Sequence, residues 1–396
     1  MSRLQRSSLT PLEPSGQLHS ARIVAAFLTL ALLLLAACSS TAGSHVKLPT
    51  PTNSLGTTPT AQATSTSSSS GGGTGGPSSV YVGADDGTVY SVNAASGTKK
   101  WQVTVGGLAS KPLVVNGVVY VATSEGHVAA LGTGSTIWNV TPGGNFAGRP
   151  SYDNNQLFVG SDNGSLYALG AGDGSVHWTF TTGDRITGTP AIAGGLVYTG
   201  SADEYLYAIH ENDGTLAWKA KLIYPVELTS PLVANGVVYV GDDSGTLYEV
   251  NATTGTIMNK FDPDGNQIGG RPAVVNGVVY FGTGNHTLYA LKVSNGSAVW
   301  KFSVSNSLLS TPNVNNGIVY VADTNDFYAI NATTGQLVWH KQAGGYGTDG
   351  HPWPSVANGL VFLGASDGNL YAYNASTGQV QWTFHDQVGL GSPQAG

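Results

Sequence analysis

The sequence predicts an all-β propeller of eight four-stranded blades, and three observations carry that prediction. Only 10% of the 396 residues are charged, while 55 are glycine and 18 tyrosine. A charged share well below the usual quarter suits many short strands joined by tight turns, not helices with charged outer faces. The second observation is a glycine four residues before a tryptophan: Gly97/Trp101, Gly134/Trp138, Gly174/Trp178, Gly214/Trp218, Gly296/Trp300, Gly335/Trp339 and Gly378/Trp382. Gly255 keeps the same phase, with Asn259 where the tryptophan belongs. The third is a proline opening an apolar strand, at Pro112, Pro150, Pro190, Pro231, Pro272, Pro312, Pro354 and Pro393. Successive prolines lie between 38 residues (Pro112 to Pro150) and 42 residues (Pro312 to Pro354) apart, the period of a four-stranded blade.

Residues 1–37 read as a secretory signal. Arg3, Arg6 and Arg22 precede an apolar run from Ile23 to Ala37, too short for a comfortable membrane span. The run ends in Leu35-Ala36-Ala37-Cys38, which resembles the lipobox of bacterial lipoproteins. That resemblance implies a diacylglycerol on the Cys38 thiol after cleavage, anchoring the chain outside the cytoplasm on the bacterial cell membrane or outer membrane. A signal peptide with an incidental cysteine, or a retained anchor helix, is the alternative reading. Cys38 is the chain's one cysteine, so no intrachain disulfide can form.

Residues 38–79 are Ser, Thr, Gly and Pro with almost no charge or large apolar side chain, a composition that cannot bury enough surface to fold. At about 5 to 6 Å times the square root of its length, such a tether spans a few tens of Å.

Residues 80–396 carry the repeats. In the unit beginning at Pro231, the segments Pro231-Leu-Val-Ala, Val237-Val-Tyr-Val-Gly241 and Thr246-Leu-Tyr-Glu-Val250 are separated by Asn235-Gly236 and Asp242-Asp-Ser-Gly245, and a fourth strand follows Asn251-Ala-Thr-Thr-Gly255. Asn-Gly supplies the two positive φ values of a tight hairpin, and Pro is tolerated at a strand's first residue. Four strands, A to D, result. The series starts at Val80-Tyr-Val-Gly83, in the phase of strand B, and ends at Ser392-Pro393-Gln394-Ala395, in the phase of strand A. The C-terminal segment is therefore expected to complete the first blade and close the ring.

The pattern Tyr-Val-Gly-x-x-x-Gly-x-Leu-Tyr-Ala-Leu followed by Thr-Gly-x-x-x-Trp resembles the pyrroloquinoline quinone repeat family, including the tryptophan-docked propellers of quinoprotein alcohol dehydrogenases. With the Cys38 lipobox ahead of eight blades, the layout is also similar to outer-membrane assembly propeller lipoproteins. The first resemblance implies that the seven tryptophans dock neighbouring blades, a packing role suited to side chains that bury 150 to 250 Å² each.

Catalytic features of the quinoproteins are missing. A single cysteine rules out the adjacent-cysteine disulfide, and no Cys-x-x-Cys-His haem site occurs. No cofactor and no metal are expected, with pyrroloquinoline quinone plus calcium as the runner-up. The Asp-rich turns, such as Asp85-Asp86-Gly87 and Asp242-Asp243-Ser244-Gly245, lack the spaced oxygens and distal Glu of an EF-hand. Asp and Asn routinely close turns through their own backbone. No His-x-x-x-His pair or nameable Ser/His/Asp set appears, so no catalytic residue is assigned. A net charge of -7 without a Lys/Arg run argues against nucleic acid.

A ligand is expected at the funnel mouth, rimmed by the loops from strand D to the next strand A. Immediately before the phase prolines stand Lys111, Arg149, Arg271 and Trp353, with Thr189, Ser230, Thr311 and Ser392 in the other blades. Longer loops add Arg185, Glu227, Asp349 and His351. An ordinary solvated rim is the alternative. The expected function is a monomeric, lipid-anchored, non-catalytic binding or scaffold module for a protein or glycan. A quinone-dependent dehydrogenase or other propeller enzyme, and a polysaccharide-binding sensor or adhesion module, stand as alternatives.

Overall fold

The computed structural model describes residues 78–227, 229–342, 353–386 and 388–396. The signal segment, Cys38 and nearly all of the tether lie outside the described residues, as do Asp349 and His351. The described strands form eight separate four-stranded antiparallel sheets, the blades of a propeller.

The inner strands are Leu113–Val115, Ser151–Asp153, Ala191–Ala193, Leu232–Ala234, Ile268–Val275, Asn313–Asn315, Ser355–Ala357 and Gln394–Ala395. Seven blades run A-B-C-D in sequence order. Blade 1 is built from Ser79–Gly83, Thr88–Asn93 and Lys99–Thr104, and takes Gln394–Ala395 as its inner strand, with Val80 opposite Ala395 and Tyr81 opposite Gln394. Ring closure from the C-terminal segment is therefore observed.

Strands B and C are nearly all buried, as in Ser165–Gly170, whose six residues are all inside. Each is covered on both faces by adjacent blades, which is why they read as near-continuous apolar runs. Outer strands such as Val176–Thr181 are half-exposed. A register shift recurs between strands C and D of every blade at the residue paired with the tryptophan position, for example at Ala168/Leu169 and Ala208/Ile209. The A-to-B hairpins turn on pairs such as Asn116-Gly117, at φ 49° and 81°.

The glycine and the tryptophan of the repeat have one structural origin. Each tryptophan lies against the turn glycine of the next blade: a Cβ on Gly335 would sit 2.7 Å from the Trp300 ring, and one on Gly378 2.7 Å from Trp339. These glycines also hold φ in the left-handed region, 70° at Gly335 and 67° at Gly378, so no other residue fits without strain. Six of the indole N–H groups then donate to a carbonyl of that same turn. Trp138 reaches Ala171 (3.0 Å), Trp178 Glu211 (2.8 Å), Trp218 Ala252 (3.0 Å), Trp300 Ala332 (2.9 Å) and Trp339 Ala375 (2.9 Å). Trp382 reaches Ala94 of blade 1 at 3.0 Å, repeating the contact across the closing seam.

Trp101 lies in the same place but lacks the hydrogen bond that the other six make. It is half-buried, packs its ring on Tyr81 of its own blade at 5.7 Å, joins the core cluster that blade 1 shares with Val119, Val121, Ala129 and Leu131 of blade 2, and lies beside the turn glycine, where a Cβ on Gly134 would be 3.2 Å from the Trp101 Cβ. Among the described residues, its indole N–H makes no bond to blade 2 like those of the other six. The cause is a shorter turn. In blade 2 the Gly134 N–H donates to Gly132 O, two residues back, whereas in blade 5 the Gly255 N–H reaches Asn251 O, four residues back. The residue whose carbonyl would accept the indole, Ala252 in blade 5, has no counterpart in Leu131-Gly132-Thr133-Gly134.

Blade 5 departs from the pattern in another way. Asn259 bonds Glu249 across the sheet at 2.6 Å, and Phe261 takes the place over Gly296. Blade 6 differs at its inner strand, which begins early at Ile268 and breaks register between Gly269 and Ala273. Pro272 sits in that break, where it lacks a ladder donor.

Candidate functional site

Both ends of the ring are set by backbone contacts. The D-to-A loops lie on the B-to-C turns, with Phe146 N–H donating to Thr123 O (3.1 Å) and Ile186 N–H to Ser161 O (2.9 Å). The C-to-D turns lie on the A-to-B hairpins at the other end, as in Ala252 N–H to Gly236 O (2.9 Å). The first end is the funnel face, where the sequence varies most from blade to blade.

The residues before the phase prolines form a stitched ring there. Arg149 N–H donates to Thr189 Oγ1 (3.3 Å), Thr189 N–H to Ser230 Oγ (2.9 Å) and Ser230 N–H to Gly270 O (3.1 Å). Arg271 N–H donates to Thr311 Oγ1 (2.8 Å), and Trp353 N–H to Ser392 Oγ (3.0 Å). Small hydroxyl residues thus tie one blade to the next, while the large ones project side chains. Gly270, at φ 65°, lies so close to the next loop that a Cβ would come within 2.8 Å of the Thr311 nitrogen.

Three of the large side chains meet at one cavity of about 240 Å³, lined by Lys111, Arg149, Thr189, Glu227, Ser230 and Trp353 among others. Lys111 Nζ lies 5.4 Å and the Arg149 guanidinium carbon 5.9 Å from the Trp353 ring centroid, so the indole face is flanked by two cations. Arg271 adjoins the cavity through Gly270, and the Arg149 charge reaches it. Burial lowers both arginines to about 10, and for Arg271 the Arg149 charge adds to the effect. Both remain protonated at neutral pH. Although each side chain is partly accessible, Arg149 Nε, Arg271 Nε and Trp353 Nε1 are buried atoms with no hydrogen-bond partner among the described residues. Buried donors are rarely left so, because each costs about 1–3 kcal/mol.

Two other predicted residues meet each other. Arg185 donates to Glu227 Oε2 at 2.5 Å, on a rim where their side chains are 49% and 26% exposed. This pair pushes the Arg185 pKa up, chiefly through that hydrogen bond. At this exposure it contributes little stability, but it engages both side chains. Thr187 Oγ1 also donates to the Glu227 carbonyl, a contact with no sequence signal beyond its phase two residues before Thr189.

Among the described residues, the donor set does not fit a quinone-and-calcium centre of the dehydrogenase kind. The chain's cysteine, Cys38, precedes the blades, and Glu227 is engaged by Arg185. Asp242 accepts from the Ser244 and Thr246 amides (both 3.0 Å) and from the Tyr248 hydroxyl (2.8 Å), so its lone pairs serve its own turn. Among the described residues, no group of three or more His, Cys, Asp or Glu side chains could hold a metal ion. What the cavity offers chemically is donors and positive charge beside an aromatic face, with one carboxylate, Glu227, in its lining held by Arg185.

Comparison with known proteins places the repeats. The family described as outer membrane protein assembly factor BamB matches residues 52–133, 124–260 and 250–385, most of the chain. The outer membrane protein assembly factor BamB of Yersinia pestis is 38% identical over 104 residues, 24% of this chain and 26% of that protein. The chain thus spans about a quarter of the length of the curated relatives it matches. The crystal structure of BamB from Moraxella catarrhalis superposes with a TM-score of 0.63 at 18% identity, covering 72% of this chain and 89% of that one. Quinohemoprotein alcohol dehydrogenase from Comamonas testosteroni superposes with a TM-score of 0.59 at 16% identity, covering 72% and 68%. At these identities the two structures share the fold, whereas the family match extends through the blades, and on that ground the chain belongs to the outer membrane protein assembly factor BamB family.

Proposed function

We propose that this chain is an extracytoplasmic, lipid-anchored, non-catalytic scaffold whose funnel face recognises a protein component of the bacterial envelope. The observation that carries this reading is the concentration of non-repeating side chains at one end of a repetitive ring. Lys111, Arg149, Arg271 and Trp353 break a hydroxyl pattern there, while the opposite end repeats Asn-Gly and Asn-Ala-Thr-Thr-Gly turns. Repeat proteins concentrate binding groups on the face where the repeat is least regular. Family membership supports an assembly role, and Leu35-Ala36-Ala37-Cys38 supports the anchor.

Co-purification from the native envelope tests the reading, using the full chain, a funnel-face variant (Lys111→Ala with Glu227→Ala) and an opposite-face variant (Thr253→Ala with Thr333→Ala). The proposal predicts that envelope assembly proteins co-purify with the full chain and the opposite-face variant, and at least several-fold less with the funnel-face variant. Equal recovery with all three contradicts it.

A further inference from the structure

We infer that the channel mouth bounded by Arg149, Arg271 and Trp353 is a binding site for a small polycarboxylate. This deepens the reading of the funnel as a binding face and rests on it. The inference starts from what is missing around buried atoms. Among the described residues, Arg149 Nε, Arg271 Nε and Trp353 Nε1 are N–H donors without an acceptor, and neither guanidinium has a carboxylate in ion-pair distance. A ligand that satisfies all three must bring an acceptor to each, and the two buried guanidinium charges favour one that is negative.

The placement of the donors argues for more than one acceptor group. Arg149 enters from blade 3 and Arg271 from blade 6, with only the small Thr189 and Ser230 at the corresponding positions between them. An anion touching one arginine leaves the other's charge unanswered, whereas a molecule with carboxylates on two sides answers both. A guanidinium edge matches a carboxylate bidentately. The cavity, at about 240 Å³, is several times the ~30 Å³ share of one water, so it has room for a small organic anion.

The site is also held in advance of any ligand. The backbone of each of the three residues is fixed by a hydroxyl of the next blade, Thr189, Thr311 and Ser392. Donors fixed by neighbouring blades lose little freedom when a ligand arrives.

Isothermal titration calorimetry at constant ionic strength tests this with citrate, acetate and a Glu-rich peptide as probes, on the full chain and on Arg149→Gln/Arg271→Gln. Citrate is expected to bind the unaltered chain at one site, at least tenfold more tightly than acetate, and to raise its melting temperature. The double variant should lose at least tenfold in citrate affinity and all of the citrate-induced shift, while Lys292→Gln on the exposed surface leaves both unchanged. An unchanged or raised melting temperature of the ligand-free double variant shows that it is folded. Absence of citrate binding, citrate binding unaffected by the double substitution, or binding of the peptide without citrate each overturns the assignment. If citrate fails while envelope partners still co-purify, the anion site falls and the scaffold reading stands. If citrate binds while funnel-face substitution leaves partner recovery unchanged, the converse holds.

Discussion

Glu249 and Asn259 face each other across strands C and D of blade 5, at a position where the other blades pair Trp with Ala six times and with Ser once. The exchange is volume-compensated, a longer residue standing where Ala usually sits and a shorter one where Trp does. Asn259→Trp alone should therefore overpack the sheet and destabilise by about 1–3 kcal/mol, with most of that recovered when Glu249→Ala is added; a double-mutant cycle by chemical denaturation measures the coupling. Burial raises the Glu249 pKa, opposed by its hydrogen bond from Asn259, and its Oε1 has no partner among the described residues. A raised carboxyl binds its proton more tightly in the folded state. Its stability contribution is thus full below the unfolded value and is lost as pH rises through the folded one. Glu249→Gln should exceed the parent in stability by about 1 kcal/mol near neutral pH, with the difference shrinking towards pH 4 in thermal melts. Trp339 shows the opposite case, a docked indole 7% exposed and edge-on to Phe327 at 5.2 Å. Trp339→Ala should cost about 3–5 kcal/mol in denaturant unfolding.

At the level of elements, the closing strand decides whether eight blades make a ring. Gln394–Ala395 pairs with Val80 and Tyr81, Ala395 N–H donates to Ser355 Oγ at 3.1 Å, and Trp382 bonds Ala94 across the same seam. Truncation after Gly391 would strip blade 1 of its inner strand and expose the edge of Ser79–Gly83. A lower melting temperature and concentration-dependent association in size-exclusion chromatography should follow, and a monomer melting at the parent temperature would contradict the closure argument. The blades and their closure were legible because the marks are local: Asn-Gly, Gly-x-x-x-Trp and a proline period repeat along the chain. The site was legible only in part. The position before each proline could be picked out by phase, but pairing of Arg185 with Glu227, the hydroxyl stitching and the meeting of Lys111 with Trp353 join residues of different blades, and no local pattern encodes them. Replacement of the missing tryptophan by Phe261 was hidden for the same reason, since the glycine it covers belongs to the next blade. So was the weaker docking of Trp101, because the turn that fails to offer it a carbonyl lies in blade 2 while its own Gly97 keeps the repeat's spacing.

At the scale of the whole molecule, the proposed anchor at Cys38 and the two unlike ends of the ring make separate predictions. Cys38→Ser should move the chain from the membrane to the soluble fraction on ultracentrifugation, because stable attachment needs the acyl chains that the thiol would carry. The ring itself should be unaffected, as Cys38 precedes the eight blades in the sequence. One end of the ring repeats its turns, and the other gathers cations, an aromatic face and unpartnered donors around the axis. The central claim is that recognition uses this second end. Cross-linking mass spectrometry of the full chain in its native envelope reads the footprint of a partner directly. The account predicts that partner cross-links concentrate on funnel-face residues such as Lys111 and Glu227, with few on the turns around Asn235 and Thr253; a footprint confined to those opposite turns would contradict it.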